Sequence, residues 1–187
     1  MSVRRRDAIG CCFAMEDLEF RQLESERLTI GRFRDSDAGT LAAYRDDPDV
    51  ARYQGWTRPY FHSDAEKFIA GLHSLSPGRP GTWFQFALRL RESDALVGDV
   101  ALRTTEQDPP EAELGFSLAS PHQHHGYAAE AVGLVVDFAF EKLAISRIFS
   151  ITDHRNLRAR RLLEGLDFEL THELESGVCV YGRIPAV

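Results

Sequence analysis

The sequence predicts one mixed α/β (α+β) domain, a mostly antiparallel sheet of about six to seven strands flanked by about four helices. Three observations predict it. Strand-like runs outnumber helical ones, and a single strand–helix–strand crossover, over residues 111–152, interrupts their order. That order argues against a doubly wound sheet. The helix of the crossover, residues 127–143, is apolar on two faces, with Ala128, Val132, Val135, Val136, Ala139 and Leu143 on one and Ala131, Leu134 and Phe138 on another. It therefore packs on both sides and belongs to the core. Finally, 187 residues, 43% of them hydrophobic, suffice for one filled core and are short for two domains.

The elements follow in order. Residues 27–33 read as a first strand, with Leu28 and Ile30 inward. Asp35 to Asp37 cap a helix running to about Arg45, which Asp46-Asp47-Pro48 ends. An aromatic loop spans residues 50–61. Ser63-Asp64-Ala65-Glu66 has the spacing of a capping box and opens a helix to about Leu75. Residues 76–81, rich in Pro and Gly, form a loop. Residues 83–90 and 96–104 are strands, as is 111–118, bounded by Pro110 and Pro121. After the long helix come a strand at 147–152, a short helix at 156–166 and a closing hairpin of 168–174 with 178–184. Residues 1–19 read as an N-terminal extension to a single domain of residues 20–187, and Met15 is an alternative start.

Composition excludes several classes. A net charge of −7, from 22 basic and 29 acidic residues, disfavours nucleic-acid and anionic-membrane partners and slightly favours a cationic substrate such as an amine. No apolar run approaches the ~20 residues that cross a bilayer. Cys11, Cys12 and Cys179 make no disulfide framework, which fits a cytoplasmic protein, and Cys179 reads as core.

Chemistry concentrates at residues 123–128. Gly126 lets the backbone turn and approach a ligand without a Cβ in the way. The first N–H groups of the following helix lack intrahelical partners and carry partial positive charge. Such a corner cradles a phosphate or diphosphate without a cationic side chain. The compact His122-x-His124-His125 run cannot direct its rings at one ion, and no cysteine or carboxylate stands at zinc spacing nearby, so no metal is expected.

Gln123-x-x-Gly126-x-Ala128 resembles the acetyl-CoA loop of the GNAT N-acetyltransferase superfamily. The text from Glu113-Leu114-Gly115-Phe116 through Tyr127-Ala128-Ala129-Glu130-Ala131 is similar to the branch of the ribosomal-protein alanine N-acetyltransferases. So are Asp153-His154-Arg155-Asn156 and Leu163-Glu164-Gly165-Leu166-Asp167-Phe168. The resemblance covers roughly residues 20–184. It implies a GNAT-type fold with splayed central strands and acetyl-CoA as cosubstrate. It further implies that backbone groups of Phe116, Ser117 and Leu118 pair with the pantetheine arm. The diphosphate would rest on His124, His125, Gly126, Tyr127 and Ala128, with Gln123 supporting the loop. Asn156 caps the short helix and, by the resemblance, also contacts the arm. Three residues later the branch often carries a serine thought to protonate the leaving thiolate; here stands Ala159, which leaves that role empty or gives it to water or to another hydroxyl. The cluster Arg155, Arg158, Arg160 and Arg161 reads as a solvated face, or else one or two of its members meet the ribose 3′-phosphate of CoA, with Arg160 the candidate.

For a general base the best candidate is Glu113, on the central strand two residues before Gly115, acting directly or through water. The acceptor slot is expected from Tyr53, Gln54, Trp56 and Tyr60 of the aromatic loop, with Trp83 and Phe84 serving either the slot or the core, since aromatic rings attract a cationic amine. These residues point to an acetyl-CoA-dependent N-acetyltransferase acting by direct transfer on a primary amine, of a peptide or a small molecule. No motif cysteine supports an acyl-enzyme. A non-catalytic acyl-CoA sensor is the alternative, and a homodimer is an assembly the resemblance allows.

Overall fold

The computed structural model describes residues 20–185. Cys11, Cys12, the alternative start at Met15 and the extension 1–19 lie outside the described residues. Eight strands form one sheet: β1 (Leu23–Glu24), β2 (Leu28–Gly31), β3 (Trp83–Leu90), β4 (Leu96–Thr104), β5 (Glu111–Leu118), β6 (Arg147–Asp153), β7 (Glu169–Glu173) and β8 (Val178–Arg183). Their order is β1-β2-β3-β4-β5-β6-β8-β7, and every neighbouring pair is antiparallel except β5 with β6. The α-helices are α1 (Ala38–Asp46), α2 (Pro48–Ala51), α3 (His62–Leu72), α4 (Tyr127–Lys142) and α5 (Leu157–Glu164).

Two elements exceed the expected count. β1 is two residues long, pairing Leu23 with Ile30, too short to leave a period in the sequence. α2 arises where Asp46-Asp47-Pro48 was read only as a stop. Asp47 accepts the Asp49 N–H at 2.9 Å and Pro48 occupies the first turn, where a missing N–H costs nothing. A further difference concerns α3, which starts one residue before the Ser63–Glu66 box. Phe61 precedes it, and the Asp64 carboxylate accepts the Phe61 N–H at 3.0 Å.

The core lies on both faces of the sheet. On one, α4 buries Ala131, Val132, Val135, Val136, Phe138 and Ala139 against Ile30, Phe86, Val100, Leu114 and Ile148. On the other, α1 and α3 bury Leu41, Tyr44, Ala65 and Ile69 against Ala87 and Leu96. Cys179 is fully buried in the same cluster, as its place on a terminal strand suggested. Phe84 also belongs there, edge-on to Phe86 at 4.7 Å and 2% exposed, so its reading as a slot residue is corrected to packing.

One glycine controls how β5 lies. A Cβ on Gly98 of β4 would meet the Ser117 carbonyl oxygen at 2.2 Å and Leu118 Cα at 2.9 Å, both backbone atoms that cannot swing aside. Gly98→Ala therefore pushes β5 away over Ser117 and Leu118, with an expected loss of about 1–3 kcal/mol in urea unfolding. A variant as stable as the wild type would show that β5 is free to move here.

Candidate active site

β5 and β6 pair only over Glu111–Arg147, Ala112–Ile148 and Glu113–Phe149, although β5 runs on to Leu118 and β6 to Asp153. Beyond that point the strands fork. Ser150 Oγ donates to the Leu114 carbonyl at 2.9 Å at the crotch, and β6 continues instead along β8. Alternation then decides which β5 groups look into the fork. The carbonyls of Leu114, Phe116 and Leu118 each accept a bond from a side chain outside β4: Ser150, Gln54 (3.3 Å) and Gln123 (3.1 Å). The Ala119 N–H, in contrast, bonds Val97 of β4 at 2.9 Å, and the Ser117 carbonyl faces Gly98. N–H and C=O of one strand residue point to the same side. Phe116 and Leu118 thus present donors and acceptors to the fork. Ser117 does not, a correction that follows from the two-residue period.

The corner after β5 is held by residues the sequence reading missed. Gly126 sits at φ 79° as N-cap of α4, no side chain caps that helix, and His124 also has positive φ, 67°. Arg27, just before β2, donates from Nε to Glu130 at 2.7 Å and from Nη1 to the His125 carbonyl at 2.8 Å. Its guanidinium lies 4.8 Å from the Tyr127 ring centroid, and the His125 ring stacks on Tyr127 at 5.6 Å. Ser25 Oγ also donates to Glu130. Ser25, Arg27 and Glu130 so clamp the loop across about a hundred residues of sequence, a pairing no local pattern encodes.

Burial works to raise the Glu130 carboxyl, but the bonds from Ser25 and Arg27 outweigh it and hold it below its ordinary 4.5. A depressed carboxyl stabilises the fold fully above that value and loses its contribution as pH falls through the lower folded one. Glu130→Gln is expected to be about 1 kcal/mol less stable than wild type at neutral pH, the gap closing below about pH 4.5. Urea unfolding across pH tests this; a gap that does not narrow with acid would rule the clamp out as its source.

The other lip is the start of α5. Asn156 is its N-cap, its Oδ1 accepting the Ala159 N–H at 3.3 Å. Ala159 is 9% exposed and brings no hydroxyl to this turn. Among the arginines, Arg155 pairs with Asp153 at 2.7 Å and holds that carboxyl far below the usual range. Arg160, the sequence candidate for a phosphate, is instead turned to the Tyr181 hydroxyl (3.0 Å) and the His154 carbonyl (3.1 Å). Arg158 reaches the loop, donating to Gln123 Oε1 at 2.7 Å. Two residues along a helix point about 200° apart, so only one of these two arginines can face the corner.

The aromatic loop between α2 and α3 crosses the mouth of the fork. Gln54 bonds Phe116 on β5, and the Tyr53 hydroxyl lies 3.5 Å from the Arg155 carbonyl at α5. Trp56 and Tyr60 are corrected to packing. They surround a cation, but it is the protein's own Arg45, whose guanidinium lies 4.7 Å from the Trp56 ring, 5.3 Å from Tyr60 and 4.1 Å from Phe68. The Trp56 indole N–H is also used, on the Arg45 carbonyl at 2.9 Å. Beneath them Tyr44 donates to the buried Asp99 at 2.6 Å; burial raises both groups above their ordinary values. On the same sheet face Trp83, Arg103 and Glu113 stand in register across β3, β4 and β5, with Arg103 to Glu113 at 3.7 Å. Trp83 is 37% exposed and Glu113 partly so.

Comparison with known proteins gives the family. Residues 27–169 match the acetyltransferase (GNAT) domain family. The chain belongs to the GNAT acetyltransferases. It is 31% identical over 147 residues, 79% of this chain and 82% of the relative, to the N-acetyltransferase p20 of Bacillus licheniformis. The same fold occurs in a ribosomal-protein-serine acetyltransferase from Vibrio cholerae (TM-score 0.75, 22% identity, 89% of this chain and 98% of that one). It occurs too in Mycobacterium smegmatis RimJ, solved in complex with CoA-disulfide (TM-score 0.73, 17% identity, 84% and 81%). This GNAT chain is therefore an N-acetyltransferase by family, with the α/β fold expected of it. Its corner also suits a diphosphate: Gly126 takes a positive φ, 79°, and no side chain caps the first N–H groups of α4. Among the described residues no three His, Cys, Asp or Glu side chains gather as a metal site would need, and no helix is long and apolar enough to cross a membrane.

Proposed function

We propose that this chain is an acetyl-CoA-dependent enzyme that transfers acetyl directly to a primary amine, of a peptide or a small molecule, in the cytoplasm, and that residues 20–187 form its one catalytic domain. The observation that carries this reading is the fork, whose free β5 edge runs straight into the Gly126 corner. Bound acetyl-CoA supplies an activated acyl group as a thioester. Phe116 and Leu118 would bind the pantetheine arm as an added strand, a Phe116 or Leu118 N–H polarising the acyl carbonyl. His124, His125, Gly126, Tyr127 and Ala128 would hold the diphosphate on backbone N–H groups, with Gln123 and Arg158 bracing the loop. Asn156 fixes the first turn of α5 against the arm.

The acceptor approaches from the α1–α3 face, between Tyr53, Gln54 and Trp83. Glu113 lies three residues from Phe116, about 10 Å along the strand, so it takes the amine proton through water. Much of the rate comes from holding amine and acyl carbon together. The reading is tested by calorimetric titration with acetyl-CoA, followed by thiol release with an alanine-initiated peptide and with spermidine. Micromolar binding and amine-dependent thiol release support it; absence of binding by folded protein removes it. One observation favours the sensor instead: Ala159 leaves α5 without a hydroxyl. A sensor binds CoA yet releases no thiol with any amine.

A further inference from the structure

The fork contains a hydroxyl that the fold delivers from elsewhere in the chain. Tyr53 and Gln54 are consecutive, yet they touch opposite lips: Gln54 Nε2 reaches the Phe116 carbonyl on β5 and the Tyr53 hydroxyl reaches the Arg155 carbonyl at the head of α5. That head is the turn to which Ala159 also belongs, its N–H bonded to Asn156. We propose that Tyr53 is the proton donor to the leaving thiolate, replacing from the α2–α3 loop the hydroxyl that position 159 lacks. This rests on the transferase reading above.

The geometry favours a donor over a packing role. At 3.5 Å the bond to Arg155 is at the outer limit for a hydroxyl, so the O–H is placed but not committed. Gln54 pins the neighbouring backbone across the gap, which keeps the phenol at the mouth of the fork. Arg52 lies 5.3 Å from the Tyr53 ring centroid, and a cation on that ring supports any negative charge it acquires. The other nearby charge, Arg155, is paired with Asp153. In the step, the amine nitrogen forms its bond to the acyl carbon and the carbon–sulfur bond breaks with the electron pair on sulfur. The phenol O–H passes its proton to that sulfur. The proton lost by nitrogen leaves through Glu113 and water, and the phenolate regains one from solvent.

The test uses CoA itself, so it needs no identified acceptor. Wild type and Tyr53→Phe are titrated calorimetrically with CoA, and the thiol in each complex is titrated by thiolate ultraviolet absorbance. A donor on sulfur makes the bound thiol about tenfold more acidic in wild type than in Tyr53→Phe, at matched CoA affinity. Equal acidity overturns the role of Tyr53 and leaves the transferase reading standing, whereas failure of wild type to bind CoA removes both. With an acceptor in hand, Tyr53→Phe lowers kcat about a hundredfold at unchanged KM for acetyl-CoA. Adding Ala159→Ser to that variant restores much of the rate. A loss of CoA affinity with kcat intact, or no rescue by the serine, assigns Tyr53 to loop packing and overturns the proposal.

Discussion

Gly126→Trp abolishes acetyl-CoA binding and leaves the fold standing. Gly126 adopts φ 79°, a left-handed conformation that costs an L-residue about 1–2 kcal/mol, which a folded domain can absorb. The indole, in contrast, grows from a Cβ already 3.3 Å from Arg27 Nη2 and must fill the space over the first N–H groups of α4. The expected loss of affinity is at least about a hundredfold, ~2.8 kcal/mol. Calorimetry reads it, with circular dichroism and urea unfolding showing that the variant is folded. Wild-type affinity in a folded Gly126→Trp would place the diphosphate somewhere other than this corner.

Glu113→Gln is the second large effect, and it falls on turnover rather than binding. The variant keeps the shape of the side chain and loses its ability to take a proton. A base acting through water contributes about 10²-fold or more, so kcat falls by that order while KM for acetyl-CoA stays near wild type. Arg103 at 3.7 Å gives the carboxylate a second reading, as half of an ion pair bracing β4 to β5. That role predicts lower stability with kcat intact, so the two readings separate cleanly in one set of measurements. An unchanged kcat would leave proton removal to water alone.

The positions of these residues differ in how far the chain announces them. Strands 83–90, 96–104 and 111–118 coincide with β3, β4 and β5 because alternation and flanking turn residues are local signals, read within ten residues. The apolar pattern of 127–143 placed α4 in the core, but it packs there through one broad stripe on the sheet rather than on two sides, with Asp137 and Glu141 exposed, and Asn156 caps α5 by chemistry contained in four residues. Gly126 was legible for the same reason. The aromatic loop was misread in part. Its rings suit a cation, and the sequence could not say that Arg45, eleven residues earlier, already occupies the space beside Trp56.

What the sequence by itself determined is the element order, the α/β class, the glycine corner and the list of groups available for chemistry, since each depends on short-range periodicity and backbone preference. Tertiary structure alone decided which of them meet. The fork exists because β6 leaves β5 after three pairs to follow β8. It turns Phe116 and Leu118 into the gap and Ser117 away, and it bonds Arg158 to Gln123 and Arg160 to Tyr181. Ser25 and Arg27 reach Glu130, and Tyr53 reaches α5, across 98 to 105 residues of intervening chain. Contacts of that span are set by the packing of a whole sheet between its helices, and no window of sequence contains both partners.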